Sequence, residues 1–484
     1  MKLVHKYGVQ LLVVMVLLVA PQEKTCSLER ITVASLGDYM VTDYGAVGDG
    51  ITLNTASIQS AIDKCALEGG GRVVIGPGRF LTGTLVMRDH VELHVTKGAV
   101  LLGSKSPEDY PEMVSAYRFF GDEWVKQSLI FGANLVDIAI TGGGVIDGQG
   151  EAFQVTTNVK PDRYINRPFL IRFTECSRVE VREVTLQNSA MWMQHYLACD
   201  KVLIEDIKVF NHCNKNNDMI DIDGCSNVVI TGCVGDSDDD AITLKSTSPR
   251  ACENVTISNC IISSHCNAIK LGTESTGGFK NITITDCVVK PSSRKEVIYG
   301  LPQGISGISL EVVDGGTMDE VHISNVVIDG PEVPLFIRLG NRARPYMNGV
   351  KMPGVGEVKN ILIENLVVRN GGSTGCSITG IPGFPVRNVT LSQIAMELEG
   401  GEGARDPRRE VPELEDLYPE ATMFGVLPAS ILYMRHVDQI NLFEIFVTLQ
   451  NPDDRVPLIA EDVKGMKYEG INMAGMENID VLEK

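Results

Sequence analysis

The chain has 484 residues, 44% of them hydrophobic and 22% charged, and 62 acidic against 43 basic side chains leave a formal net charge of −19. This composition excludes an intrinsically disordered chain, and the length passes the ~250–300 residues at which one compact core stops growing, so several domains or a solenoid are expected. The acidic excess argues against nucleic acid or an anionic membrane as main partner, since both need a basic field. It leaves a polyanionic sugar open, because a cleft can oppose the total charge.

The chain begins with a basic patch ending at Lys6, then an apolar run over residues 8–20 and a polar stretch from Pro21 to Lys24. This is the pattern of a signal peptide, expected to end near residue 26. An uncleaved anchor is the alternative, although the run falls short of the ~20 residues that span a bilayer. Residues 27–484 are expected as one exported domain, extracellular or in a cell wall, monomeric and without a membrane partner. Twelve cysteines could pair in an oxidising compartment, but several recur at one position of a repeat, where a stack of buried thiols is equally consistent.

An amphipathic segment over residues 55–67 predicts a helix that covers the open end of a solenoid, whose bare strand edge would invite aggregation. Gly69-Gly70-Gly71 follows this helix and lacks the Lys-Ser/Thr of a phosphate loop, so it is expected as a turn.

From about residue 134 one apolar alternation keeps returning: Val179-Glu180-Val181, Val202-Leu203-Ile204, Val228-Val229-Ile230, Val255-Thr256-Ile257 and Ile282-Thr283-Ile284. It continues through Val321, Ile361, Val389 and Ile440, with steps of 23, 26, 27, 27, 39, 40, 28 and 51 residues. A near-constant period of 23–28 rich in β-branched residues predicts a parallel β-solenoid of roughly ten coils, with loops inserted where the step lengthens. Asn227, Asn254, Asn281, Asn360 and Asn388 precede these strands, as suits a left-handed turn or a stack of amides. Asn254, Asn281 and Asn388 also fit the N-glycosylation pattern, with the structural role the stronger reading. Residues 400–419 read as an inserted lid or cleft wall.

The densest titratable cluster is Asn216 to Asp223, followed by Asp236-Ser237-Asp238-Asp239-Asp240. Asp218 and Asp239 are 21 residues apart, close to one coil, so their carboxylates should sit a ladder spacing apart with Asp240 adjacent. Carboxylates that close cannot all stay ionised, so one becomes a proton donor. That equipment suits glycoside hydrolysis. A calcium site or a solvated loop would use the same residue types.

These segments resemble a known family. Asp43-Tyr44-Gly45-Ala46-x-Gly48-Asp49-Gly50, Ile146-Asp147-Gly148-x-Gly150, Asn188-Ser189-x-x-Trp192, Asn216-x-Asp218, Asp239-Asp240 and Leu271-Gly272 fall in the order found in the polygalacturonases and relatives, glycoside hydrolase family 28. The resemblance runs over roughly residues 40–470. It implies a right-handed parallel β-helix and inverting hydrolysis of a pectic α-glycosidic bond, with no metal or other cofactor. It also implies Asp239 as general acid, Asp218 and Asp240 as the pair that activates water, and Asn216 beside the sugar.

Two positions depart from the family pattern. Asn267 replaces a histidine, and His265, two residues earlier and on the same face of a strand, is the candidate substitute, against a surface or loop histidine. Ser309 and Glu311 replace an Arg-x-Lys that grips a galacturonate carboxylate. Arg338, Arg342 and Arg344 are candidates for a compensating clamp, against a solvated basic loop. Lys245 and Lys270 are expected in the cleft, and His195 either meets the sugar or serves the structure. The rivals are a calcium-dependent pectate lyase and an inactive sugar-binding solenoid.

Overall fold

In the computed structural model, residues 37–484 are described, apart from 122–123, 160–161, 353, 404, 474–478 and 480. The expected signal peptide and Cys26 lie outside the described residues.

Every repeat found in the sequence returns to one ladder. Val179 pairs with Val202, Val202 with Val228, Val228 with Val255, and Val255 with Ile282. Ile282 pairs with Val321, then Ile361, Val389 and Ile440 follow in the same register. All of these pairings are parallel, and the chain winds as a right-handed parallel β-helix. First and third members of each triplet are buried and the middle ones face outward, so period-two alternation stacks valine and isoleucine along the axis. Burying each such side chain contributes about 1.5–3 kcal/mol. The long steps of 39, 40 and 51 residues are one coil plus loops over 290–305, 340–356 and 401–428.

The turns repeat as well. Asn227, Asn254, Asn281, Asn360 and Asn388 all hold φ between 51° and 58°. Asn254 donates its side-chain amide to Asn227 at 3.3 Å, Asn281 to Asn254 at 3.0 Å and Asn388 to Asn360 at 2.7 Å. Both the left-handed turn and the amide stack are therefore present. The described cysteines are all free thiols, so among the described residues the stack wins over disulfides. Cys199 donates its backbone N–H to Cys225 Sγ at 3.3 Å, one coil away.

The predicted cap is helix α1, Thr55–Leu67, which buries Ile58, Ala61, Ile62 and Cys65 against the first coil. Gly69, Gly70 and Gly71 take positive φ, and Gly70 and Gly71 donate their N–H groups to Cys65 O and His90 O. They turn the chain from the helix into its first long strand.

A second face of the coil carries strands β1 (Ile220–Asp223), β2 (Ile242–Ser246), β3 (Asn267–Ser275) and β4 (Ser306–Val312). Inward, Ile220, Ile242, Ile269 and Ile308 stack in register. Outward, Asp221, Thr243, Lys270 and Ser309 form the neighbouring row, with Asp223 opposite Lys245. This buried polar row lies beneath a cleft, which Lys245 lines.

Candidate active site

The turn entering β1 carries Asp218, and the turn entering β2 carries Asp239 and Asp240. Asn217 fixes the first turn: its side-chain oxygen accepts the Cys213 and Asn214 N–H groups, and its amide donates to Ser189 O and Met191 O. Asn211 donates to Asp218 O at 2.9 Å, and Met219 N–H donates to Asp240 O at 3.0 Å, which sets the two turns one rung apart. One oxygen from each of Asp218, Asp239 and Asp240 lies within 4.8 Å of the others. The convergence expected from the 21-residue spacing is present.

These carboxylates lie in a cleft of about 300 Å³, lined also by Trp192, Asn216, Lys245, Arg163 and Tyr299. Asp218 and Asp240 are buried, whereas Asp239 is half-buried and opens to the cleft. Burial and the Asp240 charge raise the Asp239 carboxyl to about 6. Burial, Asp221 and Asp239 raise Asp218 well above the usual carboxylate range, and Asp221 rises to about 7 chiefly through burial. The cluster therefore shares protons instead of holding every carboxylate ionised. Asp218 Oδ1 is buried with no hydrogen-bond partner among the described residues, an acceptor beside the cleft.

Two lysines supply the counter-charge. Burial alone would lower both, but Asp221, Glu274 and Asp218 raise Lys245, and Asp240 raises Lys270, well above the ordinary lysine range. Lys245 Nζ lies 3.2 Å from Asp221 and 3.7 Å from Asp218, and 4.8 Å from the Trp192 ring centroid. Lys270 Nζ donates to Asp240 Oδ2 at 3.0 Å. Asn267 donates from Nδ2 to Asp240 Oδ1 at 2.7 Å, and Ser306 Oγ donates to Asn267 Oδ1 at 2.6 Å, so the amide cannot flip. Asn267 thus orients Asp240 as a neutral donor. With both Asp240 oxygens engaged, the cluster is a poor calcium site, since that ion needs 6–8 oxygen ligands.

Asn216 is also placed in the cleft, its amide 3.5 Å from Asp239 Oδ2. Three sequence expectations are corrected. His265 does not reach the cleft floor: it is buried in the bend before β3, with Nδ1 2.9 Å from Asp238 and Nε2 3.1 Å from Arg294 O. His195 is buried against Asp223 and the rings of Phe119, Phe169 and Trp192, the structural alternative. Arg338 is buried too, donating to Thr379 Oγ1, Gly380 O and Glu413 O, so it ties the 401–428 loop to the coil and offers no clamp. Arg342 pairs with Asp314, and of the three candidate arginines Arg344 lines the cleft.

Sequence reasoning missed Arg163, Glu274, Tyr299, Tyr418 and Glu420 as lining residues. A signal was available, since every step longer than one coil inserts a loop that returns to the cleft: 290–305 brings Tyr299, 340–356 brings Arg344, and 401–428 brings Tyr418 and Glu420. The expected cleft wall at 400–419 is thus present.

The glycosyl hydrolases family 28 model matches residues 112–409. A probable polygalacturonase of Vitis vinifera is 34% identical over 215 residues, covering 43% of this chain and 44% of that protein. The exo-poly-alpha-D-galacturonosidase of Dickeya chrysanthemi is 27% identical over 253 residues, covering 42% of this chain and 41% of that protein. The matched region therefore spans under half the length of these relatives. The family 28 exopolygalacturonase structure of Yersinia enterocolitica superposes with a TM-score of 0.69 at 18% identity over 89% of this chain and 78% of that one, a likeness of fold. With the family model covering more than half of its length, the chain belongs to glycosyl hydrolases family 28.

Proposed function

We propose that this chain is an exported enzyme that hydrolyses an α-glycosidic bond in a pectic polysaccharide or oligosaccharide with inversion, in the manner of a polygalacturonase. Asp239 protonates the glycosidic oxygen as the bond to the anomeric carbon breaks. Asp218 and Asp240 orient a water and accept its proton as it attacks from the opposite face. The observation that carries this reading is the convergence of three carboxylates, of which the one open to the cleft is raised to about 6. A group with that value is protonated in mildly acidic solution and still acidic enough to donate. Asp218 is raised as well, but it is buried where Asp239 is half-buried, so Asp239 is the more accessible of the two to a leaving oxygen. Family membership and the printed names of the relatives support the pectic substrate.

The separation taken alone leans the other way, since inverting pairs usually stand ~6.5–9.5 Å apart and retaining pairs ~5–5.5 Å. Against retention stands the engagement of Asp240: both oxygens are taken by Asn267 and Lys270, which suits steering a water better than attacking a sugar. The resemblance noted in the sequence likewise implies inversion. Proton NMR of the first anomer released decides: β product from an α bond supports the reading, and α product overturns it. Reducing-sugar release should vanish in Asp239→Asn while the fold is kept; turnover like that of the wild type would remove Asp239 as the acid.

A further inference from the structure

We propose that the bond cut joins a uronate to an uncharged sugar unit: Arg163, with Arg344 beside it, takes the uronate carboxylate at one wall of the cleft, and the wall carrying Tyr418 and Glu420 receives the uncharged unit. This rests on the hydrolase reading above.

The two walls differ in charge. Arg163 stands on the short turn Asp162–Tyr164, its guanidinium 4.9 Å from the Tyr164 ring and 5.7 Å from the Tyr299 ring. Its Nε has no hydrogen-bond partner among the described residues. Arg344 lies 3.9 Å from the Phe120 ring and pairs with Glu274. Both arginine charges act on Tyr164, so they belong to one neighbourhood. The Arg163 guanidinium, backed by rings, leaves an N–H edge for planar carboxylate recognition, and Arg344, already paired with Glu274, adds positive charge beside it.

At the other wall Glu420 arrives from the 401–428 loop, and behind it lies the buried Glu311, whose Oε1 accepts from Ser309 Oγ at 2.6 Å and whose charge acts on Glu420. Lys270 and Arg342 are cations in this neighbourhood, but Lys270 is buried and already bound to Asp240 and, at 3.3 Å, to Tyr418 Oη, and Arg342, 5.8 Å from the Tyr418 ring, is paired with Asp314. Burial raises Glu311 and lifts Glu420 to about 7. Protonated, this wall offers neutral donors; ionised, it repels an anion. In neither state does it present an open cation to a second uronate. Hydroxyls of a neutral sugar, or the carbonyl of a methyl-esterified uronate, match it.

The full chain would be given three oligosaccharides of equal length: unesterified oligogalacturonate, the same oligomer with alternate carboxyls methyl-esterified, and an alternating galacturonate–rhamnose oligomer. At least one of the last two should be cleaved with kcat/KM about tenfold or more above the first, as expected from the loss of one charge-assisted contact, and which one leads identifies the source of the uncharged unit. Arg163→Gln should raise KM on the better substrate about tenfold with kcat nearly kept, and Arg163→Lys should recover part of it. Glu420→Gln should narrow the preference. Equal or faster cleavage of unesterified oligogalacturonate, or a KM unmoved by Arg163→Gln, overturns the proposal. If none of the three is cleaved, the hydrolase reading fails instead. Calorimetric affinities for the same three oligomers then judge the specificity, and equal affinities would overturn it.

Discussion

Two ladders run side by side along this solenoid with the same parallel register and opposite chemistry. In one, Val202, Val228, Val255 and Ile282 stack apolar groups, and each rung is interchangeable with the next. In the other, outward positions one rung apart hold Asp221, Thr243, Lys270 and Ser309, and no rung can replace its neighbour. The first ladder shows how a repeat stores stability. The second shows how the same spacing forces unlike charges, and a few like ones, into contact. A coil spacing of about 4.8 Å is comfortable for isoleucine and costly for carboxylates, and that cost is what makes one of them an acid.

The largest way to break the contrast is Asp239→Asn, expected to lower kcat by about 10²–10⁴-fold with the circular dichroism unchanged. Because Asp239 is held above its ordinary value, the folded state binds more protons than the unfolded one between that value and about 6, and its stability falls as pH rises through this window. Asp239→Asn removes that loss and should raise Tm above pH 6. Next is the apolar ladder: Ile230→Ala should cost about 2–5 kcal/mol by denaturant unfolding while the folded fraction keeps its kcat. Lys270→Met leaves Asp240 Oδ2 without its charge-assisted partner and should lower kcat/KM about tenfold. Asn267→Ala should cost about tenfold in kcat, less than the loss of the acid, because Asp240 Oδ1 loses the donor that orients it. The smallest effect is expected for Asn388→Gly, which keeps the left-handed turn and loses one amide contact, to Asn360, about 0.5–1.5 kcal/mol.

The apolar ladder was legible in the sequence because β-branched period and coil length coincide; all nine triplets named from the sequence align in register. The carboxylate cluster was legible for the same reason, since one coil separates Asp218 from Asp239. His265 and Arg338 were misread because a periodic argument says which face a residue shares, and a bend or an added loop overrides it. His265 sits in the bend and turns to Asp238, while Arg338 keeps its rung but is covered by the 401–428 loop. Tyr299 and Glu420 lie on loops whose lengths were visible and whose paths were not, since loop conformation carries no repeat, and Arg163 lies before the first repeat whose spacing was read.

The account depends most on a shared proton that resides on the cleft-facing carboxyl. The pH profile of kcat/KM for the wild-type chain on a pectic oligosaccharide tests it directly. A descending limb with a midpoint near 6, lost together with turnover in Asp239→Asn, is the result predicted. Activity that holds level well above that pH, or an Asp239→Asn variant that retains the limb, would contradict it.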